Sequence, residues 1–291
     1  MKTKLIEKTG LTVEGLLKVN ELFLNRKWTD NKSSFIQPRY DNFCSTVTNL
    51  SPEELSLMID LTERFNILNN QDLMEEFFCG FYNVPDEVFL NSRNILCVPL
   101  KKITPNGEYL KKQKSGDQIL TEMEGLYKQY DYSDKIILCK TPEIAINKFI
   151  QNDILCFVDD FIGSGESYIE AYDTFNAFFK TKHKILNKTN VIAVCAWAME
   201  QGVKTCLEKD LKVYSEKIFH KAISDYYKNE DLNIKKKNMK EIEEQKCKNQ
   251  EQYSFGFHQC ESLISINGKT VNNTFPIFWN TKNKTNTFPR Y

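Results

Sequence analysis

The stretch ILCFVDDFIGSGES, residues 154–167, has a run of five apolar residues followed by two aspartates and, shortly after, a glycine-rich turn. A short apolar run bounded by turn residues predicts a β-strand that is buried on both faces. Asp159 and Asp160 then fall at the carboxyl end of that strand, and Gly163 begins a Gly-Ser-Gly loop ahead of a predicted helix. The stretch therefore predicts a strand, an acidic pair, a loop and a helix in direct succession.

The same alternation of strand and helix continues on both sides of this stretch. Further apolar runs, predicted as strands, lie at 94–100, 135–139, 190–198 and 211–215. Segments predicted as helices lie between them, at 117–130, 141–150, 167–180 and 199–208. Apolar strands separated by single helices are typical of parallel sheets covered on both faces. We therefore predict an α/β fold with a doubly wound, mainly parallel sheet of about five strands.

The pattern differs on either side of this predicted sheet. We predict a helical N-terminal region over 1–91, an α/β core over 92–215, and a helical and aromatic C-terminal extension over 216–291 that packs on the core. Within the first part, Ser51 and Glu54 form a capping box at the start of a helix.

Three further helices are predicted in these flanking parts. One covers 72–82 and breaks near Gly80, and the others cover 215–228 and 235–252. The last of these is rich in lysine, but it also contains several glutamates. Interleaved charges of opposite sign favour a solvated helix over a nucleic-acid contact.

Composition narrows the classes of function. Lys and Arg together number 39, as do Asp and Glu, so no net field attracts nucleic acid or an anionic membrane. No window approaches the ~20 apolar residues of a membrane span, and the N-terminus lacks the apolar segment of a signal peptide. The nine cysteines include no CxxC pair, and the three histidines are far apart in sequence. We therefore expect a cytoplasmic protein with reduced thiols and no zinc site.

The loop after the acidic pair suits a phosphate monoester. Glycines let backbone N–H groups approach an anion, and a helix N-terminus adds positive potential. Ser164 and Ser167 add hydroxyl donors, whereas Glu166 adds a carboxylate beside the loop. Asp159 and Asp160 suit sugar hydroxyls or a hydrated magnesium ion.

A second anion site is predicted after the first strand of the sheet. Five lysines lie between residues 101 and 114, and Lys114, Ser115 and Gly116 directly precede a predicted helix. Backbone amides at that helix start, with Lys114 beside them, would hold a second phosphate group. An ordinary basic loop with Ser115 as the helix cap explains the same residues equally well.

These residues resemble the phosphoribosyl pyrophosphate signature of type I phosphoribosyltransferases, in which apolar residues, two acids and a small-residue phosphate loop follow one another. The resemblance implies that Asp159 and Asp160 contact the ribose hydroxyls, partly through Mg²⁺, and that residues 163–167 hold the 5′-phosphate. It also implies that Lys114, Ser115 and Gly116 hold the leaving pyrophosphate. Purine-salvage members carry an aspartate at the position of Gly163, so the acceptor base stays open.

The C-terminal segments NNTFPIFW and FPR are similar to the ends of bacterial phosphoribosyltransferase-like proteins with a C-terminal extension, a group linked to defence systems. The two resemblances imply a glycosyltransferase of the pentosyltransferase class, in nucleotide metabolism or antiviral defence. We place an acceptor nucleobase against aromatic residues of the C-terminal extension, such as Phe278 or Trp279. An alternative is an inactive sensor that binds phosphoribosyl pyrophosphate or a nucleotide and contacts a protein partner through its N-terminal helices.

Overall fold

The computed structural model describes residues 12–26, 28, 39–110, 114–129, 131–248, 250–280, 286–288 and 290. The chain divides into two units, one formed by residues 70–219 and the other by residues 1–69 together with 220–291. Each unit has a hydrophobic core of its own. The described strands are β1 (Asn66–Leu68), β2 (Ile95–Pro99), β3 (Ile136–Leu138), β4 (Ile154–Ile162), β5 (Val191–Met199), β6 (Lys212–Phe219), β7 (Ile264–Ile266) and β8 (Lys269–Thr270).

The described α-helices share the two units with these strands. They are α1 (Val13–Asn25), α2 (Arg39–Thr46), α3 (Pro52–Glu63), α4 (Asn70–Tyr82), α5 (Asp86–Asn91), α6 (Ser115–Leu126), α7 (Pro142–Lys148), α8 (Glu166–Thr181), α9 (Glu200–Leu207) and α10 (Asn229–Lys246). The predicted capping box is confirmed at α3, where the Ser51 and Glu54 side chains each accept a hydrogen bond from the other residue's backbone N–H.

The larger sheet contains all five predicted strands, and its strands are parallel in the order β3-β2-β4-β5-β6. This confirms the predicted α/β fold with a doubly wound parallel sheet. The chain passes from β2 to β3 on one side and then returns to β4 on the other. Because the direction of winding reverses between β2 and β4, a crevice is expected outside the carboxyl ends of these two strands.

Helices cover both faces of this sheet. Leu155 and Phe157 of β4 belong to the core that also contains apolar residues of α7 and α8. Cys156 and Val158, whose side chains point to the opposite face, are equally buried. The helices α4 and α6 pack against the strands as well. Burial on both faces explains why β4 reads as an uninterrupted apolar run.

The other unit joins the two ends of the chain. Its small sheet pairs β1 in parallel with β7, and β7 in turn pairs antiparallel with β8. Phe65, which precedes β1, stacks on Phe288 with ring centroids 3.8 Å apart and lies 5.2 Å from the ring of Phe278. The predicted C-terminal extension therefore shares its core with the N-terminal helices.

Two predicted boundaries move in the structure. The break predicted between residues 91 and 92 falls at 69/70, and the one predicted at 215/216 falls at 219/220. The first moves because α4 packs against β5 and β6. The predicted break near Gly80 is wrong, because the helix continues through this residue to Tyr82. Gly80 instead lets the helix lie close to the sheet, since a Cβ there would lie 2.5 Å from the Cys195 carbonyl oxygen.

The helix predicted over 215–228 is wrong. Residues up to Phe219 extend β6, with Lys217, Ile218 and Phe219 in register with the end of β5. Turns follow, and the next helix begins only at Asn229. The long apolar strand β5 offers backbone partners along its full length, and pairing with it outweighs the local helical pattern.

Candidate functional site

The strand β4 continues past Val158, its predicted end, through both aspartates to Ile162. On one side it stays paired with β5, where Asp159 lies in register with Cys195. On the other side its partner β2 ends at Pro99, opposite Val158. The two aspartates therefore lie just beyond the end of β2, at the point where the order of the strands reverses and a crevice is expected.

Asp159 is nearly buried, with 7 % of its surface exposed, whereas Asp160 is half-buried. The Ser115 hydroxyl donates a hydrogen bond to Asp159 Oδ1, and the Asp160 backbone N–H donates to the same oxygen at 3.0 Å. Burial, together with the neighbouring Asp160 carboxylate, raises the pKa of Asp159 well above its usual range. The Ser115 hydroxyl and the positive charge of Lys114 act in the opposite direction on this pKa.

The first turn of α6 lies directly on the ends of β2 and β4. A Cβ on Gly116 would lie 2.5 Å from the Val158 carbonyl oxygen and 2.9 Å from the Leu100 nitrogen, so only glycine allows this approach. The contact brings Lys114, Ser115 and Gly116, the predicted second anion loop, to the acidic pair. Ser115 is the first residue of α6 rather than its cap, which is Lys114. Lys111 and Lys112 lie outside the described residues.

An ion pair with a buried lysine holds this turn in place. Lys101, which follows β2, has 2 % of its side chain exposed, and its Nζ lies 3.0 Å from both carboxylate oxygens of Asp117. The same ammonium lies 4.3 Å from the centre of the Tyr109 ring. Asp117 also accepts a hydrogen bond of 2.6 Å from the Lys114 backbone N–H. Sequence reasoning missed this pair because Lys101 was one lysine among five in a basic loop.

The loop between β4 and α8 has the backbone that its glycines predict. Gly165 adopts a left-handed conformation with φ of 84° and caps α8, which begins at Glu166. The Ser164 hydroxyl accepts a hydrogen bond of 3.5 Å from the Glu166 backbone N–H. Glu166 and Ser167 are exposed in the first turn of the helix. The predicted phosphate-loop residues therefore lie at a helix N-terminus that directly follows the acidic strand.

The helix α9 packs against the backbone of this loop. The sequence analysis did not predict this contact. A Cβ on Gly202 would overlap the Gly163 carbonyl oxygen and lie 3.1 Å from the Gly165 nitrogen. The Cys206 thiol donates a weak hydrogen bond of 3.7 Å to the Gly165 carbonyl oxygen. The only signal in the sequence is a glycine inside a predicted helix, which often marks a close packing contact.

The aromatic residues predicted to stack on an acceptor base are buried within their own unit. Phe278 is fully buried, and Trp279 has 7 % of its surface exposed, with its indole N–H donating to the Thr274 carbonyl oxygen at 2.8 Å. Both side chains belong to the other unit of the chain, where core packing and hydrogen bonding occupy them. The prediction that one of them stacks on a base is therefore wrong. Pro289, in the second tail motif, lies outside the described residues.

The parallel sheet, the acidic pair near the end of its central strand and the loop that follows define a phosphoribosyltransferase-like α/β protein. The PRTase-CE family model matches residues 42–290, so the chain belongs to this family of phosphoribosyltransferase-like proteins with a C-terminal extension. No curated protein and no solved structure matches the chain.

Among the described residues, no helix has the length and apolar character needed to cross a bilayer. All nine cysteines are free thiols, and eight of them are buried. The eight buried thiols therefore pack as small apolar side chains, as predicted.

Proposed function

We propose that the chain binds phosphoribosyl pyrophosphate together with Mg²⁺ and transfers or hydrolyses the phosphoribosyl group. The observation that carries this proposal is the hydrogen bond from Ser115, at the start of α6, to Asp159. A second helix N-terminus is that of α8, which begins at Glu166, directly after the acidic strand and its loop. Two helix N-termini thus meet one acidic pair, which suits a sugar that carries a phosphate at one end and a pyrophosphate at the other.

The proposed roles of the residues follow from their positions. Backbone N–H groups of residues 163–167 hold the 5′-phosphate, and the start of α6 with Lys114 holds the pyrophosphate. Asp159 and Asp160 hold the ribose hydroxyls between them. As the bond between the anomeric carbon and pyrophosphate breaks, positive charge develops on the ribose ring. The two carboxylates stabilise that charge, which lowers the barrier to reaction.

The residues present fit a magnesium ion. Mg²⁺ prefers oxygen ligands, keeps several waters and is usually held by one or two carboxylates together with substrate phosphates. Asp159 and Asp160 supply carboxylates where a crevice is expected, and burial beside a like charge disfavours both being ionised without a cation. When bound, the ion would neutralise charge on the leaving pyrophosphate.

An assay of pyrophosphate release tests the proposal. The protein is incubated with phosphoribosyl pyrophosphate and Mg²⁺, with and without a panel of nucleobases, and pyrophosphate is measured over time. We expect release that depends on Mg²⁺ and is lost in the Asp159→Asn/Asp160→Asn variant. Release without any base would identify hydrolysis, whereas release that requires one base would identify the acceptor. Neither binding nor release by the wild-type protein would contradict the proposal.

The alternative is a sensor that binds the same ligand without turnover and contacts a protein partner. The exposed apolar residues of α1, namely Val13, Leu17 and Leu24, offer a surface for such a partner. The position of Lys114 beside Asp159 supports the enzyme, because an anion site for the leaving pyrophosphate then adjoins the sugar site. Tight binding without pyrophosphate release would support the sensor.

The biological setting is a further proposal. A role in nucleotide metabolism follows from the proposed substrate. A role in bacterial antiviral defence rests on the resemblance of the C-terminal segment to defence-linked proteins, and the family match, which extends over that segment, supports the subgroup.

A further inference from the structure

We infer that Ser115 is a positioning residue that orients Asp159, and not a ligand of the leaving pyrophosphate. The inference rests on the proposed function and deepens it. At the start of α6, Ser115 then acts on the sugar site, and the rest of the turn binds the pyrophosphate.

The hydrogen bond of Ser115 supports this role. A serine hydroxyl has one proton to donate, and in the structure that proton is directed at Asp159 Oδ1. A pyrophosphate oxygen also needs a donor, so binding it would require Ser115 to give up the aspartate. Losing that bond would leave a nearly buried carboxylate less satisfied, which costs free energy. The carboxylate and the pyrophosphate therefore compete for this hydroxyl, and the observed geometry assigns it to the carboxylate.

The orientation of the Asp159 carboxylate follows from its two donors. The Ser115 hydroxyl and the Asp160 backbone N–H both donate to Oδ1. Both hydrogen bonds are accepted by Oδ1, so neither of them occupies Oδ2. Two donors on one oxygen fix the rotation of the carboxylate about its χ2 angle and direct Oδ2 to the ribose hydroxyl or the metal. Removing the Ser115 hydroxyl leaves one backbone donor and a carboxylate that can rotate.

Ser115 is itself held on a rigid part of the fold. Asp117 accepts a hydrogen bond from the Lys114 backbone N–H and pairs with the buried Lys101. Gly116 contacts the backbone at the ends of β2 and β4. A hydroxyl placed by such a turn can hold a partner side chain in one orientation, as a preorganised site requires. The pyrophosphate is then assigned to the N-terminus of α6 and to the positive charge of Lys114.

The test compares two ligands in a small set of variants. Dissociation constants are measured for phosphoribosyl pyrophosphate with Mg²⁺ and, separately, for inorganic pyrophosphate with Mg²⁺. The variants are Ser115→Ala, Ser115→Thr, Asp159→Asn and the double variant Ser115→Ala/Asp159→Asn. Thr121→Ala is the matched control, because Thr121 lies in the same helix and its exposed hydroxyl donates to the Asp117 carbonyl oxygen.

If Ser115 positions Asp159, Ser115→Ala weakens the binding of phosphoribosyl pyrophosphate by about tenfold, as expected for loss of a hydrogen bond to a charged group. The binding of inorganic pyrophosphate stays within about twofold of wild type, since the Ser115 hydroxyl is not one of its ligands. Ser115→Thr retains the hydroxyl and restores binding. The double variant binds no more weakly than Asp159→Asn, because the effect of the serine passes through the aspartate.

Three results would overturn the inference. Equal loss of both ligands in Ser115→Ala would make Ser115 a pyrophosphate ligand. Unchanged binding of both ligands would show that the hydroxyl has no role in the site, and additive losses in the double variant would show that it acts independently of Asp159. A wild-type protein that binds neither ligand would overturn the proposed function as well, which distinguishes that failure from the other three.

Discussion

At the scale of single residues, the ion pair between Lys101 and Asp117 is asymmetric. The lysine side chain is 2 % exposed and the aspartate 27 %, so the two charges differ in their access to water. A charge that loses its partner is costly when it is buried and tolerable when water can reach it. The two partners should therefore respond differently to substitution.

We predict that Asp117→Asn is more destabilising than Lys101→Met. The first change leaves a buried ammonium without its carboxylate and should cost about 3 kcal/mol of unfolding free energy. The second removes the buried charge, retains most of the apolar stem and leaves an aspartate that water can reach, so the cost should be about 1 kcal/mol. Urea denaturation of both variants measures the difference. Equal costs, or a larger cost for Lys101→Met, would contradict this account.

At the scale of elements, the packing of α9 against the phosphate loop sets the shape of that loop. Gly202 brings the helix backbone into contact with Gly163 and Gly165, and nothing larger than a hydrogen atom fits between them. The loop that is proposed to hold the 5′-phosphate is therefore shaped by a helix more than 30 residues further along the chain.

We predict that Gly202→Ala damages ligand binding out of proportion to its size. The new methyl group must displace the Gly163 carbonyl, which should cost about 1–3 kcal/mol of stability and weaken phosphoribosyl pyrophosphate binding. Gly125→Ala is the matched control, since it is also a helical glycine and a Cβ there meets no atom within 4 Å. That control should stabilise the protein by about 0.4–1 kcal/mol through the unfolded state. Thermal denaturation and ligand titration of both variants would test the prediction, and similar behaviour of the two would refute it.

The element α10 contains a carboxyl group with an unusual titration. Burial raises the pKa of Glu243 from 4.5 to about 7, although hydrogen bonds from the Ser254 hydroxyl and the Phe255 backbone N–H act against this shift. Because the pKa is higher in the folded state, the folded protein holds this proton more tightly than the unfolded chain does. The stabilising contribution is complete below pH 4.5 and is lost as the pH rises to about 7.

We therefore predict that Glu243→Gln changes the pH dependence of stability. Within the window from about 4.5 to 7, this one carboxyl lowers the wild-type unfolding free energy by up to about 1.4 kcal/mol for each unit of pH. Glutamine stays neutral, so the variant should lack that part of the slope and gain stability relative to wild type at pH 8. Denaturation curves at pH 5 and pH 8 for both proteins provide the comparison. Parallel pH profiles would show that Glu243 is ionised throughout.

At the scale of the whole molecule, the chain forms two hydrophobic cores, and one of them combines segments that are far apart in sequence. The unit that contains the five-stranded sheet, here called the sheet unit, builds its core from one continuous segment, residues 70–219. The other core combines residues from both the N-terminal and the C-terminal parts of the chain. The N-terminal helices and the C-terminal extension therefore depend on each other for burial of their aromatic side chains, and each should lose protection when the shared core is damaged.

We predict that Phe65→Ala loosens two segments that are distant in sequence. Phe65 is fully buried against Phe278 and Phe288, so its truncation should cost about 3–5 kcal/mol. Hydrogen exchange should accelerate in both α3 and α10, while β4 keeps its protection. Phe157→Ala, which truncates a fully buried ring in the core of the sheet unit, is the control and should show the opposite pattern. Exchange that increases only in α3 would argue against a shared core.

The parts of the structure that the sequence predicted are those with local causes. Continuous apolar runs predicted β2, β4 and β5 because these strands are buried on both faces, and the glycines of residues 163–165 predicted a loop at a helix start. The end of β6 was missed because pairing with β5 decided it. The Lys101–Asp117 pair and the contact of Gly202 with the loop were also missed, since they join residues that only the fold brings together.

The central claim is that Asp159 and Asp160 form the sugar site for phosphoribosyl pyrophosphate. Isothermal titration calorimetry with this ligand and Mg²⁺ tests it most directly, using the wild-type protein and the Asp159→Asn/Asp160→Asn variant. Asparagine retains the size of each side chain and removes its charge, so a folded variant isolates the role of the carboxylates. We expect saturable binding by the wild-type protein and a loss of at least about a hundredfold in the variant. Equal affinity of the two proteins would contradict the account.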